Sequence, residues 1–239
     1  MSEEKSTSLD ILGAKPLADS VHALTKGAIE GAGAFLSRIC LPAAEEFGLL
    51  IRDKVSAWRA KNLVSVIQRA EELLAKDLTL KDFHAHPRLV ASVIENGSWA
   101  DTALVQGLWA GLLTSSCTHN GTDQGNLIFI NLLSQISTTE ALLFRHLCET
   151  SEKVKSEGGW IGPKASLCIT IDDLQKITGL SDIHRIDLEL DHLRTLGLTE
   201  GGFNPHATIA DIVPSSLGLQ MYVRCQGYAG SPLDYFGLT

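Results

Sequence analysis

Between residues 43 and 75, Phe47, Ile51, Val55, Trp58, Ile67, Ala70 and Leu74 recur at three- and four-residue steps, the spacing of one helix face. Unbroken, such a helix would run roughly 50 Å at 1.5 Å per residue, and a rod of that length needs partners along it. Residues 17–39 before it also read as helical. Leu24, Ala28, Phe35 and Ile39 give an apolar stripe, and Asp19 or Ser20 a cap. Gly27, Gly31 and Gly33 interrupt it, each costing roughly 0.8–1 kcal/mol relative to Ala. Close packing against a neighbouring helix is the expected reason. The alternative is a segment of low intrinsic stability that rearranges or lies on a membrane surface.

Further helices follow in succession. Pro87 opens one through Ile94, and Asn96-Gly97 breaks it. Ser98 starts another, with Asp101 in its first turn. Residues 102–122 contain no Asp, Glu, Lys or Arg. Their Gln, Ser, Thr, His and Asn content points to a buried core helix, with Trp109 and Leu112-Leu113 in the core, rather than a membrane span. Leu127, Ile130, Leu133 and Ile136 mark the next helix, and Ser137-Thr-Thr-Glu140 has the form of a capping box. No strand is expected before about residue 158. Glu157-Gly-Gly159 and Gly162-Pro163 then read as a linker or turn. Beyond it come a short strand at 166–169, a helix capped by Thr170 and ended by Gly179, and a helix capped by Ser181 with Ile183, Ile186, Leu190 and Leu193 buried. A hairpin at 198–203 and 207–213 and a helix at 217–225 close the chain. That order is the order of a winged helix-turn-helix.

The fold class read from this pattern is mainly α: a helical bundle with a long amphipathic helix, then a small α+β winged-helix-like domain. The expected divisions are 1–42 (flexible start and Gly/Ala-rich helical segment), 43–157 (bundle) and 158–239 (winged-helix-like). Composition agrees, since 239 residues with 44% apolar, 20% charged and 6% aromatic suit a folded chain rich in helix. The five cysteines are widely spaced and form no Cys-x-x-Cys pair. With no leader segment at the start, they read as reduced, mostly buried thiols of a cytoplasmic protein.

A net charge of −8 argues against general coating of a nucleic acid. The one basic stretch holds Arg52, Lys54, Arg59, Lys61 and Arg69 against Asp53. Within it Arg52, Lys54, Trp58, Arg59 and Lys61 are the candidates for an interaction surface. Read structurally, Trp58 anchors the helix, and Arg59 partners a carboxylate or a helix-end carbonyl. The recognition helix expected over 182–194 carries Asp182, Asp187, Glu189 and Asp191 against Arg185 and Arg194. Phosphate contacts dominate DNA affinity, so this sign disfavours DNA. His184, Arg185 and Arg194 are the candidates if DNA is read at all.

Catalytic signatures are missing from the sequence: it has no phosphate-binding Gly-x-x-x-x-Gly-Lys-Ser/Thr loop, no Gly-x-Ser-x-Gly elbow and no His-Glu-x-x-His. His84-Ala-His86 suggests no third metal ligand, His146 and Cys148 face different ways on a helix, and Asp187 and Asp191 read as a solvated acidic face. The expectation is therefore a non-enzyme with no cofactor and no metal.

Several motifs in order resemble the abortive-infection alpha family of bacterial phage-defence proteins. They are Gly13-Ala-Lys-Pro-Leu-Ala18, Phe47-Gly48, Asp53-Lys-Val55, Trp58-Arg59, Leu104-Val-Gln-Gly-Leu-Trp-Ala-Gly-Leu-Leu113, Leu127 to Leu133, and Ser137-Thr-Thr-Glu140. The resemblance covers about residues 12–150. It implies a cytoplasmic helical protein of antiviral defence and transfers no catalytic residues. The function expected is defence through protein contacts, with the chain itself or another protein as partner. A DNA-binding regulator using the winged helix, or a membrane-active effector using residues 17–39, is the alternative.

Overall fold

A computed structural model describes residues 26–50, 56–76, 83–204 and 208–238. Eleven helices and seven short strands are present among the described residues. Helices α1 (Lys26–Ile39) and α2 (Leu41–Leu50) lead to α3 (Ser56–Ala75), β1 (His84–Ala85), α4 (Pro87–Gly97), α5 (Ala103–Ser115), β2 (Cys117–Thr118), α6 (Leu127–Leu133) and α7 (Thr138–Thr150). Then come β3 (Lys153–Lys155), β4 (Ile161–Pro163), β5 (Leu167–Thr170), α8 (Ile171–Thr178), α9 (Ile183–Thr195), β6 (Thr199–Phe203), β7 (Ile209–Pro214), α10 (Ser216–Cys225) and α11 (Pro232–Tyr235). The protein is mainly α with small antiparallel sheets, as expected.

Helix α5 is the hub. It carries no charged residue, and Val105, Leu108, Trp109, Ala110, Leu112 and Leu113 are all buried. Helices α3, α4, α6, α7 and α10 pack around it, which removes most of its apolar surface from water. Its approach to α10 is the tightest in the core. A Cβ built on Gly111 would lie 1.7 Å from the Cys225 carbonyl oxygen, so the two helices touch at a place only glycine permits. Ile67, Ala70 and Leu74 of α3 are buried as the periodicity predicts, and Trp58 is half-buried. Residues 51–55, which include Ile51, Val55, Arg52 and Lys54, lie outside the described residues, as do 17–25 with Leu24. The helical stretch expected over 43–75 is thus seen as α2 and α3.

Among the described residues, the glycines of α1 do not serve helix packing. Ala32, Phe35, Leu36 and Ile39 form the buried face. A methyl group added at Gly27, Gly31 or Gly33 would meet no atom within 4 Å. The expectation of close packing there is overturned, because the packed face carries full-sized side chains and the glycines lie off it.

Other expectations shift in detail. Asn96-Gly97 does not break α4. The helix runs through Gly97, and Ser98 is its C-cap rather than the start of the next. Helix α5 begins at Ala103, where the Thr102 hydroxyl accepts from the Val105 N–H, so Asp101 precedes it. Asp182, not Ser181, caps α9, accepting from the His184 N–H. Strands exist before residue 158: β1 pairs with β2, and β3 with β4. Two- and three-residue bridges are too short to show a two-residue period. Gly162-Pro163 lies in β4, paired against Val154 and Lys153, and the turn is made by Gly159 at φ 82°.

Strands β5, β7 and β6 form one antiparallel sheet in that order, with Ile169 opposite Ala210 and Gly202 opposite Asp211. Thr170 caps α8 by accepting from the Asp173 N–H, and Gly179 at φ 73° ends it in the left-handed conformation that favours glycine. Helix α9 buries Ile186, Leu190 and Leu193 as expected, but Ile183 is 40% exposed and Glu189 is buried in its stead. One buried apolar cluster extends from Ala32 to Cys225 and includes residues of α10 that touch α5.

Two glycine substitutions test this arrangement. Gly31→Ala is expected to raise stability by about 0.5–1 kcal/mol through helix propensity alone. Gly111→Ala is expected to lower it by about 3 kcal/mol or more, since overpacking falls on backbone. Urea unfolding of the two variants checks both signs.

Candidate functional site

A cluster of two buried carboxylates lies where α7 meets α9. It begins with a local rule: Ser137 ends an extended segment and must satisfy the first N–H groups of α7. Its hydroxyl accepts from the Glu140 N–H at 3.1 Å, while the Glu140 carboxylate accepts from the Ser137 N–H at 2.5 Å. The capping box read from the sequence is therefore complete. Glu140 is only 2% exposed, and its second oxygen lies 2.5 Å from Nδ1 of His192 on α9. A carboxylate offers no proton, so Nδ1 is the protonated nitrogen when Glu140 is ionised.

A second buried carboxylate, Glu189, stands beside it. The Ser137 hydroxyl donates to Glu189 at 2.8 Å, and the Arg185 Nε donates to the other Glu189 oxygen at 2.7 Å. Each carboxylate thus has two donors, the condition under which burial of a charge is tolerated. Ser137 joins both, donating its N–H to Glu140 and its hydroxyl to Glu189, so the arrangement fastens α9 across the start of α7. An open cleft of about 460 Å³ lies alongside, between Ile136 and Leu188.

The sequence-level candidates are placed as follows. Arg52 and Lys54 lie outside the described residues. Trp58 meets Trp99 with ring centroids 6.1 Å apart. Arg59, whose side chain is only 16% exposed, donates to Ser98 Oγ at 2.9 Å, to the Glu95 carbonyl at 3.2 Å and to the Glu95 carboxylate at 3.0 Å. Its guanidinium also sits 4.4 Å over the Trp99 ring. Carboxylate and helix-end carbonyl are both engaged, and buried Asn62 adds a bond to the Ser98 carbonyl at 3.2 Å, so α3 caps the end of α4. Lys61 is partly buried two residues on. On α9, Arg185 pairs with Glu189 and Arg194 with Asp191 at 2.7 Å, while His184 is exposed.

The other chemistry-bearing residues stand apart. His86 Nδ1 accepts from the Arg88 N–H at the start of α4, and His84 pairs in β1 with Thr118. Among the described residues no group of three His, Cys, Asp or Glu side chains is placed to hold a metal ion. Cys40, Cys117, Cys148 and Cys225 are buried free thiols, and Cys168 is exposed. Burial pushes the Cys117 thiol up to about 12, helped by the nearby Cys40. Burial also raises Cys148 and Cys225. No helix among the described residues is long and apolar enough to cross a membrane.

Glu189 and His192 are the residues the sequence reading placed wrongly. Glu189 entered the reading only as a negative charge of the recognition helix and His192 was not among the candidates, and only the Arg185–Glu189 spacing of four hinted at a local pair. Which side of α9 faces α7 depends on how α9 and the sheet dock on the bundle, a non-local packing that the spacing of residues along α9 does not encode.

A mainly helical protein, with a helix–sheet unit fastened to its bundle by paired buried carboxylates, is the class these features define. The family described as abortive infection alpha matches residues 59–211, more than half of the chain, and the chain belongs to that family. The match begins later than the motifs at Gly13 and Phe47 and continues through α8, α9 and β6 into β7, beyond the limit near residue 150 expected from the motifs. No curated protein and no solved structure matches the chain.

Two outcomes follow from the geometry. In the native protein one thiol, Cys168, should react promptly with a maleimide or disulfide reagent at pH 8, and all five after denaturation. The thiolate is the reactive form, and burial suppresses it at Cys117, Cys148 and Cys225. Arg185→Ala should lower stability by about 1–3 kcal/mol, because Glu189 remains buried with one donor fewer. Mass spectrometry of labelled protein and urea unfolding check these in turn.

Proposed function

We propose that the chain is a phage-defence protein of the cytoplasm that acts through protein contacts, self-association among them, rather than by chemistry of its own. The observation that carries this reading is the outward side of α9. Its arginines are committed to acids of the same helix, Arg185 to Glu189 and Arg194 to Asp191. Its exposed positions include Leu188 at 60% and Ile183 at 40%. A duplex-reading helix needs uncommitted cations facing phosphates. Apolar side chains on an acidic helix suit a protein surface instead. The strand order β5-β7-β6 behind α9 fits a winged-helix unit, and on this reading the unit serves as an interaction module. Membership in a family named for abortive infection supports the defence role. The burial of the apolar face of α1 within the core favours protein contacts over insertion of that helix into lipid.

Size-exclusion chromatography with light scattering tests the reading. The wild type is expected to form a defined oligomer at micromolar concentration, which Leu188→Asp shifts towards monomer. A wild type that stays monomeric removes self-association. Duplex binding that weakens steeply with salt would transfer α9 to a DNA-reading role.

A further inference from the structure

The structure holds a cleft that neither the α7–α9 junction nor the exposed side of α9 uses. It lies between α3, α5, α7 and α10 and has a volume of about 360 Å³, inside the range of small-molecule sites. Its floor is apolar, formed in part by Leu73, Leu104 and Leu108. Its wall carries three cations, Arg69 of α3, Lys76 just beyond the end of α3, and Arg145 of α7. That grouping is unusual in a chain of net charge −8.

Arg145 is the informative residue. It is partly buried, yet among the described residues its guanidinium has neither an ion-pair nor a hydrogen-bond partner, in contrast to Arg59, Arg185 and Arg194. Its guanidinium donors are uncommitted and reach solvent at the cleft, so a ligand oxygen can take them without breaking an existing pair. Arg69 uses one nitrogen on the Ala103 carbonyl and keeps further donors. The two carboxylates at the cleft, Glu72 and Glu149, do not neutralise Arg145 by contact; Glu149 instead accepts from the Tyr222 hydroxyl at 3.4 Å. Gly107 keeps the wall open: a Cβ there would come within 3.5 Å of Arg69 Nη1, and any larger side chain would enter the cleft.

We infer that this cleft binds a small organic phosphate, with the phosphate facing Arg145, Lys76 and Arg69 and the apolar part of the ligand lying over Leu73, Leu104 and Leu108. The three cations outnumber what a single carboxylate can engage. A tetrahedral dianion accepts donors from several directions at once, whereas a planar carboxylate is satisfied by a single arginine fork. A ligand seated there would bridge α3 and α7 to α10. The site is independent of the protein-contact reading of α9.

Isothermal titration of the full chain with adenosine monophosphate and with inorganic phosphate tests the site. Saturable one-to-one binding of the nucleotide is expected, with inorganic phosphate weaker but competing. Arg145→Ala and Gly107→Leu should each weaken binding at least about tenfold while keeping the wild-type thermal midpoint, and Lys164→Ala, on another surface, should leave it unchanged. If Gly107→Leu does not fold, Arg145→Ala decides. No saturable binding of either probe up to about 10 mM, or binding undiminished in Arg145→Ala, overturns the site. Equal affinity for the two probes overturns the organic part and leaves a site for free phosphate.

Discussion

Everything in the fold answers to the burial of α5. A helix without a charged side chain, apolar or small on all sides, is stable in water only when other elements enclose it. Helices α3, α4, α6 and α7 supply most of that enclosure, and α10, from near the end of the chain, closes the remaining side. Closure requires the α10 backbone to lie against α5 at Gly111, because a Cβ there would strike the Cys225 carbonyl. The apolar core is consequently shared between the bundle and the strand–helix unit that leads into α10.

A shared core fixes how close the two parts lie, but apolar contact alone fixes orientation poorly. The polar junction supplies it. Glu140 and Glu189 are buried, and each has one donor from its own helix region, the Ser137 N–H and Arg185, and a second, His192 and the Ser137 hydroxyl, that is in reach only when α9 lies across the start of α7. A slipped register would leave each buried carboxylate one donor short, a cost of about 1–3 kcal/mol each. The same pairing engages Arg185, and Arg194 is engaged separately by Asp191, so orientation within the protein and the scarcity of free cations outside it have related causes.

Much of this was legible in the order of residues. Local rules worked where the structure is local: the Ser137–Glu140 capping box, the Thr170 cap, the buried stripe of α9 after Ile183, and the charge-free core helix. The motif series pointed to the family that the match over 59–211 shows. What failed was non-local. The glycines of α1 looked like a packing groove because propensity says only that they are costly, not which side they occupy. The short bridges β1–β2 and β3–β4 have too few residues to show a period. Glu189 was counted as one more negative charge of a recognition helix because its burial is decided by α7, about fifty residues earlier. The cleft with Arg145 escaped notice for the same reason, since its walls come from four helices spread along the chain.

The brace at the end of α4 has a practical corollary. Of the four tryptophans, Trp109 is buried in the core and Trp160 is 70% exposed on the β3–β4 turn, while Trp58 and Trp99 lie against each other with a cation over one ring. Indole emission is sensitive to a neighbouring guanidinium and to ring–ring distance. The chain therefore carries an optical gauge at the α3–α4 contact, and a change in its fluorescence on binding a partner would register movement of that contact without any attached dye.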